Sequence, residues 1–282
     1  MIAVVDYQKG NLKSVERGLI AAGGEAFITA DASEIAKADA IVLPGVGAFA
    51  DAAATMCELG QMEAIRDRVR AGVPFLGICL GEHLMFEHGV EGAPEGNPAC
   101  GLGLLPGTVV AMPRCDAQGK AFKVPHVGWN TIEMPSCNGG VTVPPCGEGG
   151  GNAVLSSGGA GGGAARSSAA KRGLFEHGAF PGSTPQPGSD LAFPDSTPQP
   201  GSDLAFACPL FDGIAPGEYF YFTHSFIAPT GSHTIAETTH SVRFTSAVQF
   251  GERAFGVQFH PEKSSDAGAR VLANFVAIAA RG

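Results

Sequence analysis

Hydrophobic and polar positions along this chain follow two rhythms. Ile2 to Val5 is an unbroken apolar run, after which Leu12, Val15, Leu19 and Ala22 recur at the three- and four-residue spacing of one helical face. The unit then returns twice. Ala40-Ile41-Val42-Leu43 leads through Pro44-Gly45-Val46-Gly47 into a helical run over about 51–71, and Phe75-Leu76-Gly77-Ile78 leads into a helix that residues 80–86 should open. Strands that are apolar at every position are buried on both faces. The pattern therefore predicts a three-layer α/β fold, with a mostly parallel central sheet and helices on both faces. Reactive loops should leave the carboxyl ends of those strands.

From Gly101 onward the texture changes to short pieces of β character at 108–112, 219–223, 233–237, 245–250 and 254–259, closed by the stripe Val271, Leu272, Phe275, Val276 and Ala279 of a final helix. Between them the pattern vanishes. Gly-rich runs lead into a direct repeat, STPQPGSDLAF, which begins at Ser183 and again at Ser196. Such a segment buries too little apolar area to offset chain entropy. The expected organisation is a single domain, 1–282, interrupted by a disordered low-complexity insertion at 137–207.

Composition narrows the function. Of 282 residues 44% are hydrophobic and only 16% charged, because 41 Gly and 20 Pro dilute the rest. A net charge of -9 without any basic stripe argues against nucleic acid and for a small-molecule or protein partner. Seven cysteines without a C-x-x-C pair give neither a disulfide framework nor zinc-ligand spacing, which points to a reducing cytoplasm. The first apolar run meets Asp6 after four residues, too short for a signal peptide or a membrane span. His233 and His240 stand on no metal-ligand spacing, so neither a metal nor a cofactor is expected.

Gly77-Ile78-Cys79-Leu80-Gly81 has the small-x-nucleophile-x-small form of a strand-to-helix elbow. Cys79 alone fits a nucleophile or a buried apolar residue equally well. What separates the two is Gly256-Val257-Gln258-Phe259-His260-Pro261-Glu262, where an apolar strand ends in a histidine with a carboxylate two residues on. Glu262 can return to orient His260 toward Cys79, giving a Cys, His, Glu triad. Donors for an oxyanion are available at Gly45, Val46 and Gly47 and at the Leu80 N-H directly after the nucleophile.

GICLG together with FHPE resembles the class I, or triad, glutamine amidotransferases. Five further motifs, GNLKSV from Gly10, PGVGAF from Pro44, PHVGWN from Pro125, YFTHSF from Tyr221 and FHPEKS from Phe259, resemble the glutaminase subunits of imidazole glycerol phosphate synthases. The likeness covers about 1–134 and 208–282. It implies that L-glutamine is the substrate, Cys79 the thioester-forming nucleophile, His260 the acid and base, and Glu262 its orienter. It also implies an oxyanion hole at 44–47 that forms after a peptide flip, and substrate contacts at His224, Ser225 and Phe226. Asn11, Trp129, Tyr221 and Lys263 match positions facing a (β/α)₈-barrel cyclase, the partner in a heterodimer of histidine biosynthesis. Where the family usually has Met-Gln after the elbow, this chain has Glu82-His83. His83, one helical turn from Cys79, is expected to replace Gln as a hydrogen-bond donor to glutamine, and Glu82 to face solvent. An inward Glu82 would instead raise the Cys79 pKa. A catalytically silent binding subunit, or another cysteine hydrolase on the same elbow, remains open at this point.

Because loop-closure entropy grows slowly with length, deleting the insertion and joining Ser136 to Cys208 through a short linker should leave the melting temperature and activity unchanged. Loss of soluble expression would show that the insertion packs on the domain.

Overall fold

A computed structural model describes residues 1–135 and 208–281. The insertion at 137–207 lies outside the described residues. The chain opens with strand β1 (Ile2–Val5), helix α1 (Leu12–Ala21), β2 (Ala26–Thr29), α2 (Ala32–Ile35) and β3 (Ala40–Gly45). Next come α3 (Phe49–Glu58), α4 (Gln61–Arg70), β4 (Phe75–Cys79) and the single turn α5 (Leu80–His83). Short strands follow: β5 (Phe86–Gly89), β6 (Ala99–Cys100), β7 (Leu105–Ala111) and β8 (His126–Thr131). The rest comprises β9 (Tyr219–His224), β10 (Phe226–Ile227), β11 (Thr234–Thr239), β12 (Arg243–Phe250), β13 (Ala254–Val257) and α6 (Ser265–Ala279).

The central sheet has the order β11-β12-β13-β4-β3-β1-β2. It is parallel from β2 through β13 and antiparallel at the β12 and β11 edge. Alternate residues of each inner strand enter different cores. Ile2, Val4, Val42, Leu76 and Ile78 pack with Val15, Leu19, Val271 and Phe275 of α1 and α6. Ala3, Val5, Ile41, Leu43 and Phe75 pack with Phe49, Met56, Ile65 and Val69 of α3 and α4. This is the expected three-layer arrangement, and double-sided burial explains why the strands read as continuous apolar runs.

Three expectations need correction. The helix predicted over 51–71 is two helices, because Gly60 takes a left-handed φ of 68° between them. The helix that residues 80–86 should open stops after one turn. The Leu84 and Met85 carbonyls accept instead from the Leu102 and Leu104 N-H groups, at 2.7 and 2.9 Å, and Phe86 begins a strand. Tertiary pairing overrides a helical pattern here. Third, Cys57, Cys79, Cys100 and Cys208 are free, whereas Cys115 is disulfide-bonded. Among the described residues, no helix is long and apolar enough to cross a membrane.

Candidate active site

Strand register assembles the site. Gly45 pairs with Cys79 across β3 and β4, and Val257 pairs with Ile78 across β13 and β4, so three strand ends finish at one level. Cys79 takes φ 54° and ψ -106°, a left-handed conformation that a cysteine adopts only under constraint. The glycines on either side supply the room. A Cβ on Gly77 would lie 2.5 Å from the Gly81 carbonyl oxygen, and one on Gly81 would overlap the Leu43 carbonyl.

His260 follows β13, and its backbone is pinned twice. Its N-H donates to the Tyr221 carbonyl at 2.9 Å, and the Ser264 hydroxyl donates to its carbonyl at 2.6 Å. A 3₁₀ turn at Pro261–Lys263 brings Glu262 back, so that His260 Nδ1 donates to Glu262 Oε1 at 3.0 Å with both side chains buried. Burial opposes a charge on His260, but hydrogen bonding to Cys79 and Glu262 and their negative charges outweigh it and push the imidazole up to about 9. His260 Nε2 nonetheless meets no described acceptor in full hydrogen-bond geometry. It senses the sulfur at a looser contact, as catalytic pairs commonly do before substrate binds. A protonated His260 beside Cys79 supplies the positive charge that would favour a thiolate there.

The loop at 44–47, the candidate oxyanion site, has one of its N-H groups already engaged. The Val46 N-H donates to the Tyr7 hydroxyl at 3.1 Å, so it is not available to an oxyanion until that bond breaks. Burial, first, holds the Tyr7 phenol above its ordinary pKa, and it stays neutral. The expected peptide flip therefore has a defined bond to break.

Cys79 and His260 open on a cavity of about 420 Å³, walled by Val46, Gly47 and Leu80 on one side and His224, Ser225 and Phe226 on the other. A larger hollow of about 560 Å³ lies at the amino ends of the strands, around Ile2, Ala40 and Pro74, away from any nucleophile. His83 lines the active cavity as expected, but its Nε2 is already engaged with Gln258 Oε1 at 2.7 Å, leaving Nδ1 free among the described residues. Burial lowers His83 to about 4, so the ring is neutral.

The expectation that Glu82 faces solvent is wrong. Glu82 is fully buried against Gly256, and neither carboxylate oxygen has a partner among the described residues. The short helix turns it inward under the sheet. Burial and then the Cys79 charge raise its pKa well above 4.5, so it is a neutral acid.

His224 lines the cavity without a free nitrogen. Its Nδ1 donates to the Phe226 carbonyl at 2.8 Å, so its Nε2 accepts from His126 Nδ1 at 3.0 Å. Two groups at the site, one on the cavity wall and one buried behind Cys79, escaped the sequence reading. Glu91 reaches the cavity from a turn whose carbonyl accepts the Ala50 N-H at 3.0 Å, and burial raises its pKa. Nothing distinguishes it in sequence from a solvated loop acid. Gln258 is fully buried with its Nε2 3.7 Å from Cys79 Sγ. Its signal was a polar residue inside an apolar strand end.

Of the partner-facing candidates, Trp129 and Tyr221 meet edge to face across β8 and β9, with Trp129 51% exposed, and Lys263 Nζ sits 5.9 Å over the Tyr221 ring. Asn11 caps the start of α1 without a side-chain capping bond and is exposed. Among the described residues no cluster of three or more His, Cys, Asp or Glu could hold a metal ion.

An elbow cysteine, a carboxylate-oriented histidine and an oxyanion loop at adjacent parallel strand ends agree with a family match: the family model for class-I glutamine amidotransferases fits residues 3–137 and 196–279. The chain belongs to the class I glutamine amidotransferases. Within them, it is 34% identical over 276 residues to the imidazole glycerol phosphate synthase subunit HisH of Moorella thermoacetica, covering 97% of this chain and 93% of that one. It is also 34% identical to the HisH subunit of Rhodopirellula baltica, over 98% of this chain and 96% of that one. A crystal structure of a glutamine amidotransferase superposes with a TM-score of 0.56 at 15% identity, over 99% of this chain and 100% of the other. PurLQS from Thermotoga maritima gives 0.54 at 14%, over 98% and 97%. These last two show the fold.

Buried Glu82 generates a stability prediction. In the unfolded chain it ionises near 4.5, whereas in the folded chain it stays protonated well above that. Each pH unit above its unfolded value therefore favours the unfolded chain by up to about 1.4 kcal/mol, until the folded group ionises. Glu82→Gln, which cannot ionise, should raise the melting temperature more at about pH 8 than at about pH 5. A gain that is equal at both pH values would mean that Glu82 is charged in the folded protein.

Proposed function

We propose that this chain is the glutaminase subunit of an imidazole glycerol phosphate synthase, hydrolysing glutamine to glutamate and ammonia for a cyclase partner in histidine biosynthesis. The observation that carries the reading is the Cys79, His260 and Glu262 constellation on a single cavity, in a chain alike over nearly its whole length to HisH subunits. The Cys79 thiolate attacks the side-chain amide carbon of glutamine. Leu80 N-H receives the oxyanion, joined by Val46 N-H once its bond to Tyr7 is broken. His260 Nε2-H protonates the departing nitrogen, so ammonia leaves and a thioester remains. Now neutral, His260 takes a proton from water, the resulting hydroxide opens the thioester, and the thiolate and imidazolium are restored.

Glu91, the carboxylate on the cavity wall outside the triad, suits the substrate's α-ammonium group. His83 meets the substrate through Nδ1 as an acceptor, not as the donor the sequence suggested, because Nε2 is engaged. Ser225 and Phe226 shape the far wall. Exposed Trp129 and Lys263 around half-buried Tyr221, together with exposed Asn11, suit docking on a (β/α)₈-barrel cyclase as a heterodimer, and aromatic residues with an adjacent cation are frequent anchors of such contacts. The pair together forms the lyase, in the cytoplasm, and we take 1–282 as one domain carrying an insertion.

The Val46 bond to Tyr7 also bears on the alternative of a silent subunit, since it withholds one candidate oxyanion donor in the free chain. A glutaminase assay with and without the cyclase separates the two. No glutamine turnover even in the complex would establish the silent reading. Cys79→Ala should abolish glutamine hydrolysis while the complex still turns over with external ammonia, and retained glutamine-dependent turnover would remove Cys79 from the chemistry. Tyr7→Phe releases the Val46 N-H from one hydrogen bond. It should raise partner-free glutaminase activity by about fivefold, the weight of roughly 1 kcal/mol. Unchanged or lower activity would mean that the Tyr7 bond does not hold the loop back.

A further inference from the structure

Gln258 is the first residue beyond β13, and its backbone N-H donates to the Ser246 carbonyl at 3.0 Å, which fixes where its side chain starts. The side chain is fully buried and ends between two groups of the active site. Its Nε2 lies 3.7 Å from Cys79 Sγ, and its Oε1 lies 2.7 Å from His83 Nε2. On another side of the sulfur stands the Thr223 carbonyl at 3.8 Å. A carbonyl can only accept, so it suits the protonated thiol. An amide N-H can only donate, so it suits the thiolate.

We propose that Gln258 is a catalytic residue that donates its side-chain N-H to the Cys79 thiolate, and that His83 is the positioning residue that keeps this amide the right way round.

The argument is one of orientation. Turned about, the amide would set its carbonyl oxygen against the negative sulfur, and the thiolate rejects that arrangement. With the N-H on sulfur, Oε1 faces His83 and needs a donor. His83 is neutral, so the proton that it carries must sit on Nε2, and Nδ1 is left as an acceptor on the cavity. A thiolate at Cys79, this amide orientation and this imidazole tautomer thus form one linked set. Linkage is reciprocal, so a substrate N-H seated on His83 Nδ1 favours the same tautomer and with it the thiolate. A Gln at position 83 could donate the same bond through its own amide, which is why Glu-His can stand where the family has Met-Gln. The other ionisable groups around the sulfur are His260, which is protonated, and Glu82 and Tyr7, which are neutral.

This deepens the proposed glutamine chemistry and rests on Cys79 as its nucleophile, yet it can be read without glutamine. The measurement is the rate of Cys79 alkylation by iodoacetamide in the full chain between about pH 6 and pH 10, followed on the Cys79 peptide by mass spectrometry. Gln258→Leu should slow it about tenfold near neutral pH, the effect of losing one hydrogen bond to a charge, and converge with the unaltered protein at high pH. His83→Phe should slow it about threefold with the same convergence, and His83→Gln should restore it. In the unaltered protein, nitrogen NMR of the histidine rings should find the His83 proton on Nε2, a readout that needs no variant to fold. A proton on Nδ1, or a Gln258→Leu profile matching that of the unaltered protein, would overturn the proposal. A His83→Phe profile without change would overturn the His83 half. Altered alkylation in a chain that never hydrolyses glutamine would uphold this inference and remove the functional reading instead.

Discussion

Gly81 approaches the Leu43 carbonyl so closely that no side chain fits between them. On that contact the rest of the site depends. It lets the turn after β4 lie flat on the end of β3, which forces Cys79 into its left-handed conformation and lifts the sulfur into the cavity. The same approach sets Gly45 beside Leu80, where a Cβ would lie 2.7 Å from the Leu80 side chain, so the 44–47 loop and the Cys79 elbow share one packed corner. Parallel register then brings His260 to the same level from the other side of β4. The strain at one residue is held by two strands that are buried on both faces, which is where a fold can hold it.

Around this corner the protein buries several groups whose ordinary charge would be unfavourable. Glu82 stays neutral, and burial keeps His83 and His126 neutral by lowering each to about 4. His260, by contrast, is the histidine here that is kept charged, because hydrogen bonds to Cys79 and Glu262 and the negative charge of both outweigh its burial. The site is therefore squeezed from both directions. Lowering the pH from about 6.5 toward 4 must charge histidines that the fold holds neutral, and raising it above about 4.5 favours ionising Glu82 in the unfolded chain. The charge that survives lies where the chemistry needs it.

The fold was legible because β1, β3 and β4 are buried on both faces and carry no interruption. The edge strand β2 and the four-residue α2 were passed over, being too short to show a period. Cys79, His260 and Glu262 were legible because each lies beside glycine or proline at a strand end, where backbone constraint leaves a mark. The direction of Glu82 was not. A one-turn helix has no face that sequence spacing can assign, and its end was set by Leu102 and Leu104, nearly twenty residues on. Gln258 and Glu91 were missed for a related reason. Their importance lies in what they approach, and only register and loop packing decide that.

One more connection comes from the polar groups behind the cavity wall. Because the Phe226 carbonyl can only accept, His224 must carry its proton on Nδ1, and His126 must then donate from Nδ1 to His224 Nε2. His126 Nε2 is left to accept from Asn130 Nδ2 at 3.2 Å, and the same amide donates to the Thr239 carbonyl at 3.0 Å. Each N-H in this row has one acceptor, the Asn130 amide using both of its hydrogens, and every ring has one permitted tautomer. Its far end, Asn130, neighbours Trp129 on β8, and Trp129 pairs with Tyr221 on β9. The wall at Ser225 and Phe226 and the exposed aromatic ribbon are thus held by one directed row of hydrogen bonds. A shift of the ribbon cannot leave the cavity wall untouched unless a bond in that row breaks.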